Sequence, residues 1–194
     1  MSEEDVRALL RRGQVKIVAP MVRYSKLPFR LLCRHWGADL CYTPMIIAEG
    51  FNRSAQARDS EFSTCGEDRP LVVQFGTKDP IEMAQACLKA ESYVDAFDLN
   101  CGCPQRWAMQ EGIGAALSSK PEQVVDIVKE TVRVVKKPVS IKIRLDKNML
   151  TTLELIRAAE DAGVAWIAVH GRTAAERSRV PVHKDAIKLV RCAV

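Results

Sequence analysis

The stretch VSIKIRL, Val139–Leu145, alternates apolar and polar side chains along its whole length. A β-strand points successive side chains to opposite faces, so the two sets separate. One face carries Ile141, Ile143 and Leu145, and the other carries Ser140, Lys142 and Arg144. In a sheet covered by helices, a face with two cations needs polar surroundings, such as the mouth of a barrel. An exposed edge strand is the alternative, and this stretch alone does not choose between them.

Five further runs rich in β-branched and aromatic residues indicate strands. They are VKIVAP (Val15–Pro20), LCYTPM (Leu40–Met45), LVVQFG (Leu71–Gly76), AFDLNCG (Ala96–Gly102) and AWIAVHG (Ala165–Gly171). Helical patterns separate most of these runs, and regular strand–helix alternation is typical of a parallel sheet with helices outside. Six such units begin either a doubly wound sheet or a (β/α)₈ barrel.

Helix start and stop signals mark the intervening segments. Ser25 is the expected N-cap of a helix that ends near Gly37, and Asp79 is the expected cap of a helix over Pro80–Ala90. Apolar residues at helical spacing predict three more helices. They cover Pro121–Lys137, residues 151–163 and the segment from Asp185 to the C-terminus.

Polar residues recur near the carboxyl ends of successive predicted strands. Gln74 lies near the end of one strand, Asp98 and Asn100 share a face of the next, and His170 lies near the end of the last. Enzymes with a (β/α)₈ barrel build their sites from these strand ends. The sequence therefore predicts an α/β fold of the (β/α)₈ TIM-barrel type, incomplete, with about six βα units.

Composition sets wider limits on the protein class. The chain has 194 residues, 47% of them hydrophobic, and a net charge of +5, which fits one domain or part of a larger one. The mild positive charge is compatible with a polyanionic partner. Seven unevenly spaced cysteines and the absence of a secretory leader predict reduced thiols, in the cytoplasm or the nucleus. No apolar run approaches the length that spans a membrane.

Two thiols, Cys101 and Cys103, lie one glycine apart at the end of a predicted strand. Structural metal sites commonly use a second cysteine or histidine pair, and redox pairs commonly read C-x-x-C, so we expect no metal here. The remaining choice lies between one functional thiol and a turn. Alternation favours Cys103, on the loop before Pro104, as the functional thiol, and predicts that Cys101 packs inertly against helices.

Seven segments in order resemble the tRNA-dihydrouridine synthase family, and most closely its eukaryotic dihydrouridine synthase 4-like branch. They are VAPMVRYSKLPFR, CYTPMI, VVQFG, DLNCGCPQ, GIGAAL, VSIKIRL and VHGRTAAER, and the resemblance covers about Val15 to Val190. It implies an FMN-dependent oxidoreductase that uses NADPH to reduce a D-loop uridine of tRNA to dihydrouridine. Hydride would reach C6 of a flipped-out uracil, and Cys103 would protonate C5 as the general acid.

The resemblance also implies a cofactor site. Pro20, Met21 and Val22 match a strand-end segment against the flavin ring, and Gln74 matches a side chain that hydrogen-bonds the ring. Lys142 matches a lysine beside the flavin, where a cation favours the anionic reduced form. His170 matches another residue beside the flavin. Gln74 has an ordinary alternative, which Asn100 shares, because a polar side chain can simply cap a strand end.

Substrate contacts are implied in the same way. Asn100 and Arg144 resemble residues that read the uracil edge, although Arg144 could instead pair with a helix carboxylate. Arg106 and Trp107 flank the thiol, where they could meet RNA phosphate and a stacked base. An ordinary loop arginine and a packed tryptophan are the alternatives.

The expected organisation is an N-terminal extension over residues 1–14 and a partial FMN-binding TIM barrel over residues 15–194. Two further strands with the FMN phosphate motifs and a helical tRNA-binding domain, which follow in the family, are not in this sequence. On that basis we expect weak FMN retention, low stability, and self-association or poor catalysis. Two other functions stay open: a truncated, non-catalytic form, and an FMN barrel that reduces a free pyrimidine.

Overall fold

The computed structural model describes residues 6–193 of the chain. Within them, six parallel strands form one sheet in the sequential order β1-β2-β3-β4-β5-β6. The strands are β1 Ile17–Val18, β2 Leu40–Ile47, β3 Leu71–Gly76, β4 Ala96–Cys101, β5 Val139–Leu145 and β6 Trp166–Thr173. All six strands lie within or close to the runs predicted from the sequence, and β3 and β5 match residue for residue.

Helices separate the strands, as the alternation predicts. They are α1 Val6–Arg11, α2 Leu27–His35, α3 Ala48–Arg53, α4 Ala55–Glu61, α5 Pro80–Ala90, α6 Arg106–Gln110, α7 Pro121–Val134, α8 Met149–Asp161 and α9 Lys184–Cys192. Short 3₁₀ turns cover Glu91–Tyr93 and Gly114–Leu117. The predicted Asp79 cap is confirmed, because its carboxylate accepts a hydrogen bond from the Glu82 amide at 2.9 Å.

The predicted Ser25 cap is wrong. Lys26 occupies the N-cap of α2, and its side chain makes no capping bond. The Ser25 hydroxyl instead faces back toward the backbone of Met21, whose N–H donates to it at 3.0 Å. Ser25 is fully buried, so its hydroxyl holds the turn before the helix rather than the helix itself.

The sheet curls, as an incomplete barrel requires. The indole Nε1 of Trp166 on β6 donates to the Tyr42 hydroxyl on β2 at 3.0 Å, although β3, β4 and β5 separate these strands in the sheet. Parallel strands twist and close in this way when helices cover the outer face. The (β/α)₈ type of fold, incomplete, is therefore confirmed.

The two faces of β5 are used as the alternation predicts. Its apolar face belongs to the main hydrophobic core, where Ile141 and Ile143 are fully buried. The core also contains buried residues of α7 and α8, including Ile127 and Ile156. The polar face therefore points into the curled side of the sheet.

Helix α1 lies inside the predicted N-terminal extension and joins the fold. Val6 and Leu9 pack against a second apolar cluster formed by strand residues. These are Leu40, Tyr42, Val72 and Ala96. Val72 and Ala96 are register partners near the amino ends of β3 and β4, so α1 covers that end of the sheet.

Two properties of residues 6–193 bear on the protein class. None of their helices is both long and apolar enough to cross a bilayer. All seven cysteines carry free thiols, of which Cys41, Cys87, Cys101 and Cys103 are buried.

A buried ion pair attaches α2 to the loop before β3. Arg30 is 2% exposed and Asp68 is fully buried, with 2.6 Å between Nη2 and Oδ2. The same guanidinium donates to the carbonyls of Ser25 and Ser63, both at 2.7 Å. Arg34 adds a second, longer contact with Asp68 at 3.4 Å. A buried charge pair of this kind tolerates the loss of one partner poorly, because the other charge stays desolvated.

The substitution Asp68→Asn is expected to lower the free energy of unfolding by about 3 kcal/mol or more, since two arginines lose their counter-charge. The matched control is Asp185→Asn, which removes a carboxylate whose side chain is 95% exposed from a surface pair with Lys188. That change is expected to cost less than about 1 kcal/mol. Urea unfolding measures both changes. Equal losses of unfolding free energy in the two variants would contradict the conclusion that the Arg30–Asp68 pair stabilises the attachment of α2.

Candidate active site

A layer of hydrogen-bonded polar side chains crosses the inner face of β3, β4 and β5. Gln74 Nε2 donates to Asp98 Oδ2 at 2.7 Å, and the Ser140 hydroxyl donates to Asp98 Oδ1 at 2.6 Å. Asn100 Nδ2 donates to Gln74 Oε1 at 2.7 Å. Within the described residues, every buried side-chain nitrogen and oxygen has a hydrogen-bond partner. These side chains therefore form one connected hydrogen-bond network on the inner face of the sheet, rather than separate polar groups at strand ends.

The loop between β4 and α6, residues 102–105, carries Cys103 and is called the Cys103 loop. It is attached to this layer through Asn100. The Oδ1 atom of Asn100 accepts hydrogen bonds from the backbone amides of Gly102 at 3.1 Å and Cys103 at 2.8 Å. The Cys103 carbonyl accepts from the Ala115 amide at 3.0 Å. Backbone atoms on both sides of Cys103 are thus held, which fixes the origin of its side chain.

The two thiols have different surroundings, as the alternation predicts. Cys101 is fully buried in the main core, and burial raises its pKa well above the ordinary value for a thiol. Cys103 is 8% exposed and packs in a separate small cluster with Met45, Ala108 and Ile113. Residues 6–193 contain no group of three or more His, Cys, Asp or Glu side chains that could hold a metal ion.

Gly114 allows the chain to pass against Cys103. Its φ of +65° is a conformation that side chains with a Cβ rarely adopt. A Cβ built there would lie 2.7 Å from the Cys103 carbonyl oxygen and 2.9 Å from its Cβ. The second glycine of GIGAAL, Gly114, therefore allows the chain to pack closely against Cys103.

The segment Pro20–Val22 connects two parts of the inner side of the sheet. Pro20 and Lys142 line one cavity of about 400 Å³, together with Tyr42 and Trp166. Val22 packs against the cluster that contains Cys103. Of the residues predicted to lie against the flavin, Pro20 and Lys142 thus share one cavity, Val22 packs with the Cys103 cluster, and Met21 is 37% exposed between them.

A carboxylate and an ammonium group influence each other electrostatically inside the sheet. Burial raises the pKa of Asp98 to about 6, while hydrogen bonds from Ser140 and Gln74 and the charge of Lys142 lower it. Burial lowers the pKa of Lys142, and the charge of Asp98 raises it. Lys142 is the register partner of Asn100, whereas Asp98 lies opposite Ser140, one row farther from the Cys103 loop.

Cations gather at the ends of β5 and β6. Burial, followed by the charges of Arg144, Lys142 and Arg172, lowers the pKa of His170 to about 4. The imidazole is therefore neutral at pH 7. Arg144 and His170 also line an open cavity of about 640 Å³ with Arg106, Arg172 and Arg177.

Arg144 joins the two loops that border this cavity. Its Nε donates to the Gly102 carbonyl at 2.9 Å, and its Nη1 donates to the Thr173 carbonyl at 3.0 Å. Burial lowers the pKa of Arg144, and the neighbouring Cys103 acts in the opposite direction. The guanidinium thus holds the backbone next to Cys103 at a fixed distance from the carboxyl end of β6.

Most of the residues that sequence reasoning proposed for the site are brought together at this end of the sheet. It missed Arg172 and Arg177, although both stand in the motif VHGRTAAER that was singled out. It also gave no role to Ser140. The spacing of cations after β6 is the sequence signal that could have found the two arginines.

A sequence profile described as "Dihydrouridine synthase (Dus)" matches residues 17–194. The chain belongs to the dihydrouridine synthase family. The match begins with β1 and covers every strand of the sheet.

Named relatives of this dihydrouridine synthase chain point to the same branch. It is 52% identical to a tRNA-dihydrouridine(20a/20b) synthase-like protein of Mus musculus, over 97% of this chain and 59% of that protein. The human counterpart is 51% identical, over 97% of this chain and 61% of its own length. The tRNA-dihydrouridine(20a/20b) synthase of Schizosaccharomyces pombe is 46% identical over 91% and 55%. All three names include NAD(P)+, and the chain spans about three fifths of the length of these relatives.

A solved structure with a similar fold is a truncated form of 3-deoxy-D-arabino-heptulosonate 7-phosphate synthase from Thermotoga maritima. The TM-score is 0.50 at 14% identity, over 91% of this chain and 59% of that one. At this identity the likeness concerns the fold alone.

The buried Asp98 gives a pH dependence of stability with a defined sign. Its pKa rises from 3.8 in the unfolded chain to about 6 in the folded chain, so its contribution is fully present below about pH 4. That contribution is lost as the pH rises through about 6. The free energy of unfolding of the wild type, relative to Asp98→Asn, is expected to fall by on the order of 1–3 kcal/mol between pH 4 and pH 7.

Urea titrations at several pH values measure this difference. The shift of His170 has the opposite sign, but it is present in both proteins and cancels in the comparison. A difference that stays constant from pH 4 to pH 7 would contradict the burial of a titrating Asp98.

The substitution Gly114→Ala is expected to displace Cys103 and to lower the free energy of unfolding by about 1–3 kcal/mol, because the new Cβ meets the Cys103 backbone. The thiol should then react faster with iodoacetamide, followed by peptide mapping. Gly66→Ala is the matched control, since no atom lies within 4 Å of its Cβ position and its φ is not positive. An unchanged rate at Cys103 in Gly114→Ala would contradict the close packing.

Proposed function

We propose that this chain carries the catalytic barrel part of an FMN-dependent tRNA-dihydrouridine synthase, which uses NADPH to reduce a D-loop uridine of tRNA to 5,6-dihydrouridine. The observation that carries the proposal is the hydrogen bond that attaches Cys103 to Asn100 of the polar layer. Lys142 is the register partner of Asn100 on the next strand. Family membership and the names of the relatives support the reaction class. A cytoplasmic or nuclear location goes with this function.

The residues around Lys142 fit a flavin ring. Lys142 is partly buried, the charge of Asp98 raises its pKa, and its cavity is otherwise mainly apolar, which suits a flat aromatic ring beside a fixed cation. Pro20, Met21 and Val22 would border the ring, and His170 would offer it a polar atom. Gln74 has no exposed surface, and both ends of its amide bond to Asp98 and Asn100, so it would support the ring site from within the polar layer. The chemistry that FMN supplies when bound is hydride transfer to C6 of the uracil, with NADPH as the source of electrons.

Cys103 would hold the proton for C5. Addition of hydride at C6 leaves negative charge on C5 and the adjacent carbonyl, and a proton donor beside C5 relieves it. The Asn100 contacts hold the backbone of the loop. They position the Cys103 side chain and leave the sulfur itself free of these bonds. Asn100 and Arg144 would border the uracil edge, in addition to the loop contacts described above.

The cluster of cations supports an RNA substrate over a free pyrimidine. Four arginines, Arg106, Arg144, Arg172 and Arg177, line the cavity next to the Cys103 loop, with Glu176 as a carboxylate among them. Arginine is suited to phosphate oxygens, which a free pyrimidine base lacks. The exposed indole of Trp107, 41% accessible, lies two residues beyond Gln105 of the same cavity and offers a stacking surface.

Two alternatives stay defined. A non-catalytic form would bind tRNA without reducing it, and an FMN barrel for a free pyrimidine would reduce uridine without RNA. Supplying FMN, NADPH and an unmodified tRNA transcript, and separately free uridine, distinguishes these two from the proposed function.

Cys103→Ala is expected to lower the rate of dihydrouridine formation by about 100-fold or more, since positioned general acids contribute at least that much. Oxidation of NADPH by added FMN bound to the chain should persist in this variant. Cys101→Ala is the matched control, because its thiol lies in the main core. Mass spectrometry of tRNA digests measures the product. Wild-type turnover with an unaffected Cys103→Ala variant would refute the role of the thiol, and equal turnover of free uridine would favour the pyrimidine alternative.

A further inference from the structure

We propose that Asp98 is a positioning residue for Cys103, acting through the amides of Gln74 and Asn100. The catalytic part of this inference rests on the proposed function, whereas the conformational part concerns this chain alone. The two oxygens of the Asp98 carboxylate bond to Gln74 and Ser140, not to the Cys103 loop. Any effect on the loop must therefore pass through intervening side chains. The hydrogen bonds of the polar layer provide that connection.

The first step is the orientation of Gln74. An ionised carboxylate only accepts hydrogen bonds, so the group that approaches Asp98 Oδ2 from Gln74 must be its NH₂. At 2.7 Å this contact leaves Gln74 Oε1 directed at Asn100, which lies two residues after Asp98 on the same face of β4. Without the carboxylate, the two ends of the Gln74 amide would be nearly equivalent.

The second step is the orientation of Asn100. Because Gln74 presents an oxygen, Asn100 must present its NH₂ to it, and this contact is 2.7 Å long. The Oδ1 atom of Asn100 is then directed at the loop, where it accepts from the Gly102 and Cys103 amides. A reversed Asn100 amide would place donors against donors and release the loop.

The strand register makes this chain of contacts rigid. Gln74 pairs with Asp98, and Asp98 pairs with Ser140, so the three side chains form one row across β3, β4 and β5. The Ser140 hydroxyl holds the other oxygen of Asp98 at 2.6 Å. Asn100 follows two residues later on the same face of β4, one row nearer the mouth.

A turn closed by an asparagine side chain is common, so the loop does not need Asp98 in order to form. What Asp98 adds is a single direction for both amides. The neighbouring charge of Lys142 offers a second way in which Asp98 could act, and substitutions separate the two. Asn at position 98 keeps an acceptor for Gln74 and can donate to the Ser140 oxygen, whose proton has the Phe97 carbonyl 3.1 Å away. Alanine keeps neither the acceptor nor the charge.

The test measures hydrogen exchange of the Gly102 and Cys103 amides by NMR, at one pH and with the full chain. Asp98→Ala is expected to speed exchange of both amides by about tenfold, and Asp98→Asn by no more than about twofold. Thr131→Val is the stability control, because it removes a buried hydroxyl bonded to the Ile127 carbonyl of α7, remote from the layer. It should lower the melting temperature without changing these two amides.

Each result has a defined meaning. Unchanged exchange in Asp98→Ala would overturn the proposal, and equal acceleration in Asp98→Asn and Asp98→Ala would assign the effect to charge rather than to orientation. If Asp98→Ala does not fold, Ser140→Ala takes its place, since it frees the other oxygen of Asp98. It should speed the same two amides by about threefold, and an unchanged rate would overturn the proposal.

Turnover provides the catalytic part of the test. Asp98→Ala should lower kcat on tRNA with KM unchanged, and Asp98→Asn should restore most of kcat, as a residue that only orients its neighbours requires. A wild-type chain without turnover would refute the proposed function, while the exchange measurement would still decide the role of Asp98. A fall in kcat without faster amide exchange would overturn the positioning role.

Discussion

A carboxylate buried between neighbouring strands constrains the inner face of this sheet. Asp98 has no exposed surface, so each of its oxygens needs a donor within the protein, and Gln74 and Ser140 supply them. Such a group can only be accommodated where the register of three strands brings complementary side chains into one row. The polar layer therefore specifies the alignment of the strands as well as the chemistry of the mouth.

The strands could be predicted because each face of a strand has a single environment, either the apolar core under the helices or the polar interior of the curled sheet. VSIKIRL has apolar side chains against α7 and α8 and polar ones inside, and the structure keeps that division residue by residue. Helices α3 and α4 were not predicted, since their short sequences carry no long apolar repeat. Ser25 was misread because a buried hydroxyl can bond the preceding backbone as well as a helix end. Local sequence does not distinguish these two uses.

The candidate site was partly predictable for a similar reason. Gln74, Asn100, Lys142, Arg144 and His170 could be named because a polar residue near the end of an apolar strand stands out. The partnership of Ser140 with Asp98 could not be named, since it depends on which residues lie opposite each other across strands. Arg172 and Arg177 required knowledge that the end of β6 and the loop after it border the same cavity as the Cys103 loop.

Arg144 is the feature with the widest mechanical consequence. A planar guanidinium bonds the carbonyl of Gly102 in the Cys103 loop and that of Thr173 at the end of β6, so the two segments cannot separate without breaking a hydrogen bond. A lysine could reach one carbonyl but lacks the fork that grips both. A displacement of the carboxyl end of β6 is therefore transmitted through one side chain to the backbone next to Cys103. Under the proposed function, contact with a polyanion at that end would be mechanically linked to the position of the thiol.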